Sequence, residues 1–237
     1  MNDLVPASLG LSRVKLLGGV DAATLEGLAR QCSWRRYDQG QTMISREALG
    51  GEVYLIIAGR VRVTIYTASG RQVTFRDMAE GDSVGEVSAI DGGRRSADVV
   101  ALSEVVVAAL PQPIFRRLLL EQPHVAERFM FHLAQLIRLL SEKVIELSTL
   151  GVQNRIHADL LRLVRESHRG AALHQCRITP APKHAEIASR VSTTREQVTR
   201  ELSALTRRGL VVKDAKGLLV TDVDLLVRLV ERASLDA

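Results

Sequence analysis

The chain has 237 residues, enough for one large domain or two small ones with cores of their own, and its 32 Lys plus Arg against 27 Asp plus Glu are unevenly placed. From Gln153 to Ala237 there are 15 basic and 10 acidic residues, and before them 17 of each, so two domains are expected: a neutral first and a basic last that faces a polyanion. The widely separated Cys32 and Cys176 exclude a disulfide framework or an iron–sulfur set; with no leader-like N-terminus and no long apolar run, a cytoplasmic protein without a membrane partner is expected.

Helical spacing runs from Leu9 to about Ala29, with Asp21 placed as an N-cap before the second of two short helices. Two β-branched runs follow, Glu52 to Ala58 and Arg60 to Tyr66, broken at Gly59. The second alternates apolar Val61, Val63 and Ile65 with polar Arg60, Arg62 and Thr64, the period of a half-buried strand. Strands at Val73 to Phe75 and Asp98 to Ala109, with glycines recurring between them, including Gly70, complete a small antiparallel roll or barrel.

Within this region Gly85 to Ala97 carries a glycine turn, a carboxylate, a short apolar run, two more glycines and the basic pair Arg94-Arg95. That order suits a buried ribose phosphate. Backbone N–H groups at a glycine turn donate to an anion, and an arginine fork closes on the same phosphate. Glu86, nine residues before Arg95, would repel a phosphate and is better suited to accept from a sugar hydroxyl. The plainer alternative is a glycine-rich turn with solvated arginines.

Pro111 and Pro113 end the strand region and a long helix opens near Pro123. Met130, Leu133, Ile137, Leu140, Val144 and Leu147 recur at spacings of 3, 4, 3, 4 and 3, the seam of a two-stranded coiled coil. Phe129, Leu136 and Ile145 lie off this seam and are free to pack on the roll. Two apolar faces favour a helix that meets both its own domain and a second copy of the chain, a homodimer.

Gly151 marks a hinge, followed by a helix from Ile156 to Val164 and a polar loop from Glu166 to Gln175. His168, His174 and Cys176 in and beside that loop read as surface rather than as a metal site. Lys183 to Val191 forms a short helix with Ile187 and Ala188 inward, Ser192-Thr193-Thr194 a turn and N-cap, and Arg195 to Leu205 a second helix with Val198, Leu202 and Leu205 on one face. Two short helices around a tight turn read as helix-turn-helix. Arg207 to Val212, a turn at Lys213 to Gly217 and Leu218 to Val220 suggest a β-hairpin wing.

These segments together resemble the cAMP receptor protein (catabolite activator) branch of the Crp/Fnr transcription regulators, over nearly the whole length. The residues that carry the likeness are Gly81-Asp82, Gly85-Glu86 and Arg95-Ser96-Ala97 in the roll, Ser141-Glu142-Lys143-Val144 in the long helix, Arg155-Ile156 after the hinge, and Arg195-Glu196-x-Val198-x-Arg200 in the second short helix. The resemblance implies an α+β chain with three parts. These are an N-terminal cyclic-nucleotide-binding antiparallel β-roll (1–121), a long dimerisation helix and hinge (122–151) and a C-terminal winged helix-turn-helix (152–237). It implies an allosteric homodimer on a palindromic double-stranded DNA operator, with a cyclic nucleotide as effector and RNA polymerase as a further partner. Val84, Gly85, Glu86, Val87, Arg95, Ser96, Ala97, Leu140 and Ser141 would hold the nucleotide. Arg195, Glu196 and Arg200 would read base edges beside Gln197 and Thr199, since arginine is bidentate to guanine and glutamate accepts from cytosine. Lys183, Thr193, Thr194 and Lys213 would contact phosphates. The alternative is a solvated helix face with an intrahelical Glu196–Arg200 pair.

The departures bear on specificity. Ser192 stands where the family's turn glycine is usual, so this turn must accept a side chain. The threonine–serine pair that touches adenine in the cAMP-binding members is Leu140-Ser141 here, and Leu140 offers no hydrogen bond to an adenine amino group. cAMP is the first expectation; cGMP, alone or as well, is the alternative, because Ser96 can meet a guanine in the syn conformation. A regulator of the same build that senses another signal is a further alternative. No nucleophile elbow, P-loop or metal-ligand set is present, so no catalytic residue, metal or cofactor is expected and the chain does not read as an enzyme.

Overall fold

The computed structural model describes residues 7–67, 72–167 and 174–235. Gly70, His168 and the first six residues, which entered the reading above, lie outside them. Two compact units divide the chain, one of residues 1–70 and 74–137, the other chiefly of residues 138–237.

The first unit opens with α1 (Ala7–Leu11), a 3₁₀ turn at Lys15–Leu17 and α2 (Ala22–Gln31). Asp21 caps α2 by accepting from the Thr24 N–H at 2.9 Å, as its position suggested. The strands are β1 (Ser33–Tyr37), β2 (Thr42–Ile44), β3 (Val53–Ala58), β4 (Arg60–Tyr66), β5 (Gln72–Ala79) and β6 (Ser83–Val84), then α3 (Glu86–Asp91), β7 (Asp98–Ala101) and β8 (Val105–Leu110). They form two antiparallel sheets, ordered β1-β8-β3-β6 and β2-β7-β4-β5. The expected single strand Asp98 to Ala109 is therefore two, which pair with different sheets. The short β1, β2 and β6 had no periodic signal strong enough to announce them.

β3 is buried on both faces, which explains its unbroken apolar run. Tyr54 and Ile56 pack between the sheets with Val61, Val99 and Val107, while Val53 and Leu55 face the helices. Gly59 turns β3 into β4 at φ +90°, where a Cβ would stand 2.2 Å from the Glu104 carbonyl oxygen. Only glycine fits.

α4 (Gln112–Glu121), not foreseen, uses Pro113 in its first turn, and α5 (Pro123–Thr149) follows it. Val125 and Phe129 of α5 enter the helix-side core, the Phe129 ring meeting Phe115 edge-on at 5.5 Å.

The second unit contains the C-terminal part of α5, then α6 (Val152–Ser167), β9 (Cys176–Ile178), α7 (His184–Arg190), α8 (Arg195–Arg207), β10 (Val211–Asp214), β11 (Gly217–Val220) and α9 (Val223–Leu235). Its core joins Ile156 and Leu160 of α6 to Ile187, Val198, Leu202, Leu205 and Leu226. The wing is a three-stranded sheet, β10-β11-β9, rather than a bare hairpin, and α8 runs on through Arg207, the residue at which a strand was expected. Ser192 takes the turn at φ +54°, a left-handed position filled by a side-chain-bearing residue.

Candidate functional site

The chain turns from β6 into α3 at Gly85, whose φ is +90°. A Cβ there would lie 2.5 Å from Arg95 Nη1 and 2.8 Å from the Glu52 carbonyl oxygen, so the missing side chain is what lets the guanidinium sit against the turn. Arg95 is 5% exposed. Its Nη1 donates to the Gly85 carbonyl and the Ser88 hydroxyl, both at 3.0 Å, and its Nη2 donates to the Glu52 carbonyl at 2.9 Å. The backbone around it is tied to the β2–β3 connection by Arg95 N–H to Ala48 O and Glu47 N–H to Arg95 O.

Every one of these side-chain acceptors is neutral. Among the described residues no carboxylate forms an ion pair with Arg95, although a buried charge is costly unless paired. Burial accordingly pushes its pKa below the usual arginine range, against the pull of Tyr54, Glu52 and Glu86. The site is thus a fixed, buried guanidinium held by neutral oxygens, with Glu52 and Glu86 acting on it without an ion-pair contact.

Glu86, 2% exposed, does not fill that role. Its Oε1 accepts from His132 Nε2 on α5 at 2.9 Å, and Arg76 Nη2 of β5 lies 3.5 Å from the same oxygen. Val84 is buried, Val87 and Ser96 are exposed and Ala97 is half-buried, so the exposed Ser96 directly follows the buried cation in the chain. His132, Arg76, Ser88 and Glu52 escaped the sequence reading. A hydroxyl two residues after Glu86 in an apolar run was a usable signal for Ser88; Glu52 contributes only a carbonyl, which no residue type announces.

Leu140 and Ser141 lie on the C-terminal part of α5, in the second unit, and both are exposed. Along the expected seam Met130, Ile137 and Val144 are more than 60% exposed and Leu140 and Leu147 about 40%, while Leu133 is partly buried against the first unit's core. Of the off-seam residues, Phe129 is buried and Leu136 half-buried, but Ile145 is exposed.

In the second unit Lys183 is the N-cap of α7 and Thr194 that of α8, its hydroxyl accepting from the Gln197 N–H. Lys183, Thr194, Arg195, Glu196, Thr199, Arg200 and Lys213 are all exposed, on α8, the turn before it, the start of α7 and the wing. Thr193 departs from this set: it is 5% exposed and its hydroxyl donates to the half-buried Gln197 side chain, which stiffens the turn. The Glu196 carboxyl is held below its usual pKa, first by its own backbone N–H and then by Thr194, Arg195 and Arg200. His184 Nδ1 lies 2.8 Å from Thr199 Oγ1, and burial, with Lys213 and Arg195 nearby, pushes the imidazole pKa down. Beneath this face His157 of α6 donates to Glu201 of α8 at 2.7 Å, a buried pair that holds α8 from behind.

The family model for the cyclic nucleotide-binding domain matches residues 34–122, and that for the Crp-like helix-turn-helix domain matches residues 154–229. The cyclic AMP receptor protein of Thermus thermophilus is 33% identical over 180 residues, 75% of this chain and 78% of that protein. The chain belongs to the Crp/Fnr family of transcription regulators. Within that family, the CRP-like cAMP-activated global transcriptional regulator of Mycobacterium tuberculosis is 26% identical over 92% of this regulator and 97% of its own length. The structure of the c-di-GMP-responsive regulator CLP of Xanthomonas campestris has the same fold, with a TM-score of 0.70 at 22% identity over 84% of this chain and 98% of that one. This Crp/Fnr regulator thus carries a cyclic nucleotide-binding domain and a DNA-binding helix-turn-helix; family members are regulators, not enzymes. Among the described residues no helix is long and apolar enough to cross a membrane, and no group of His, Cys, Asp and Glu is placed to hold a metal.

Proposed function

We propose that the regulator is a cytoplasmic homodimer that binds a cyclic nucleotide, cAMP in the first place, in its β-roll and in response binds a palindromic DNA site. The observation that carries this is the buried Arg95 beside Gly85 and Ser96, hydrogen-bonded to neutral oxygens. A cyclic phosphate meets this guanidinium through charge-assisted hydrogen bonds. Glu86 accepts from the ribose hydroxyl, exchanging or sharing the contact it makes with His132. The base is read by Ser96, Leu140 and Ser141, with Val84, Val87 and Ala97 closing the pocket.

The domain division is 1–121, 122–151 and 152–237. The exposed apolar seam of Met130, Ile137, Leu140, Val144 and Leu147 supports a two-fold contact in which the same helix is its own partner. The exposed Arg195, Glu196, Thr199 and Arg200 read the major groove, and Lys183, Thr194 and Lys213 approach phosphates, with RNA polymerase a further partner once DNA is bound. Effector can shift DNA affinity only by binding the DNA-competent state better, and two recognition helices must stand about 34 Å apart to engage successive half-sites.

The test is a pair of cAMP and cGMP isotherms by calorimetry, with and without a palindromic duplex. Tight cAMP binding that strengthens when DNA is added is the expected result. A stronger cGMP response transfers the effector assignment to cGMP. DNA affinity indifferent to both nucleotides overturns the proposal.

A further inference from the structure

The helix-turn-helix begins its turn at the C-terminal end of α7, where a helix leaves carbonyl oxygens without intrahelical partners. Two of these are taken by cations from other elements. The Lys143 ammonium of α5 donates to the Arg190 carbonyl. Arg155, in the first turn of α6, donates through Nε to the Val191 carbonyl at 3.0 Å and through Nη1 to the Leu150 carbonyl, just past the end of α5, at 2.7 Å. The Arg190 side chain is held as well: Nε and Nη2 reach the Asp159 carboxylate at 2.8–3.1 Å, and Arg162 shares that carboxylate. Arg190 and Asp159 are 9% and 4% exposed.

Cations at a helix C-terminus are favoured by the aligned peptide dipoles, but a solvated lysine can provide that without leaving water. Lys143 is half-buried there. Burial pushes its pKa down, opposed by Glu146 and Asp159 and reinforced by Arg162 and Arg190. Lys143 immediately precedes the seam residue Val144. It also sits about three turns along α5 from His132, the residue that meets Glu86, which places the two on one face of one helix.

We propose that Lys143 is a positioning residue that carries the effector response from the seam helix to the recognition helix. It fastens the α7–turn–α8 motif to α5, with Arg155 pinning the joint at Gly151, so that a change in α5 reaches α8 as a rigid movement instead of being absorbed at the hinge. This rests on the effector-responsive dimer proposed above.

The test uses the full-length dimer and measures the cAMP dissociation constant, the melting temperature, and the ratio of DNA dissociation constants without and with cAMP. For Lys143→Met we expect cAMP affinity within twofold of the unsubstituted protein, an unchanged dimer and at least a tenfold fall in the ratio, restored by Lys143→Arg. A purely structural role would lower the melting temperature and leave the ratio intact. A ratio within twofold of the unsubstituted value in Lys143→Met overturns the inference; should that variant fold poorly, Lys143→Gln is judged by the same ratio. An unsubstituted protein whose DNA affinity ignores cAMP and cGMP alike overturns the effector reading and this inference together, an outcome distinguished by the unsubstituted ratio alone.

Discussion

The two charged surfaces of this regulator solve opposite problems. At Arg95 the charge is buried and its geometry is set by three neutral oxygens. At Arg195 and Arg200 the charges stand exposed on α8. A buried cation pre-organised for one anion selects sharply and tolerates little change. An exposed set steers toward a polyanion and discriminates only once it meets base edges. Substitutions should therefore have steep, localised effects in the roll and graded, salt-dependent effects on α8.

The largest effect is expected at Arg95. Arg95→Met removes at least two hydrogen bonds made by a charged group, about 3 kcal/mol or more, so calorimetry should show cyclic nucleotide affinity falling by roughly 100-fold or more. Retained affinity would erase the contrast between the two surfaces. Gly85→Ala combines a left-handed backbone with a Cβ 2.5 Å from Arg95 Nη1, and should cost about 2–3 kcal/mol, read as a lower melting temperature together with weaker nucleotide binding. A mild phenotype there would mean the turn is softer than the exposed face. Arg200→Ala should weaken binding to the preferred operator by about 1–3 kcal/mol while the nucleotide isotherm stays put, as a fluorescence titration across operator variants would show. The smallest effect concerns acid. The folded His184 imidazole has a lowered pKa, so below about 6.5 the unfolded chain takes up a proton that the folded chain refuses, and stability falls as pH drops through that window. His184→Gln should flatten this acid limb in thermal melts between pH 5 and 7; an unchanged limb would assign it to other groups.

How legible the molecule was in its sequence followed the reach of each signal. The helix-turn-helix was readable because Ile187, Ala188, Val198, Leu202 and Leu205 mark two local periodicities and Thr194 a cap. The run Val53 to Ile56 announced a strand, yet its burial on both faces depended on helices far away in sequence. Gly85, Glu86 and Arg95 were visible as a motif. What the motif could not disclose was that Arg95 is met by carbonyls of Gly85 and Glu52, or that Glu86 is met by His132, 46 residues further on. Backbone acceptors have no residue-type signature, and long-range partners appear only when the chain is folded. The same holds for Lys143 and Arg155, whose residue types suggested a family likeness but whose acceptors, the carbonyls of Arg190, Val191 and Leu150, are again backbone.

α5 runs unbroken from Pro123 to Thr149, although the division between the compact units falls after Ile137 in the sequence. A truncation or fusion made at that boundary would cut through helical turns and strand N–H and carbonyl groups that now bond to one another along the axis. An isolated sensor fragment should therefore extend at least to Leu150, and a chimera that exchanges DNA-reading modules is best joined at Gly151, where the helical ladder already ends.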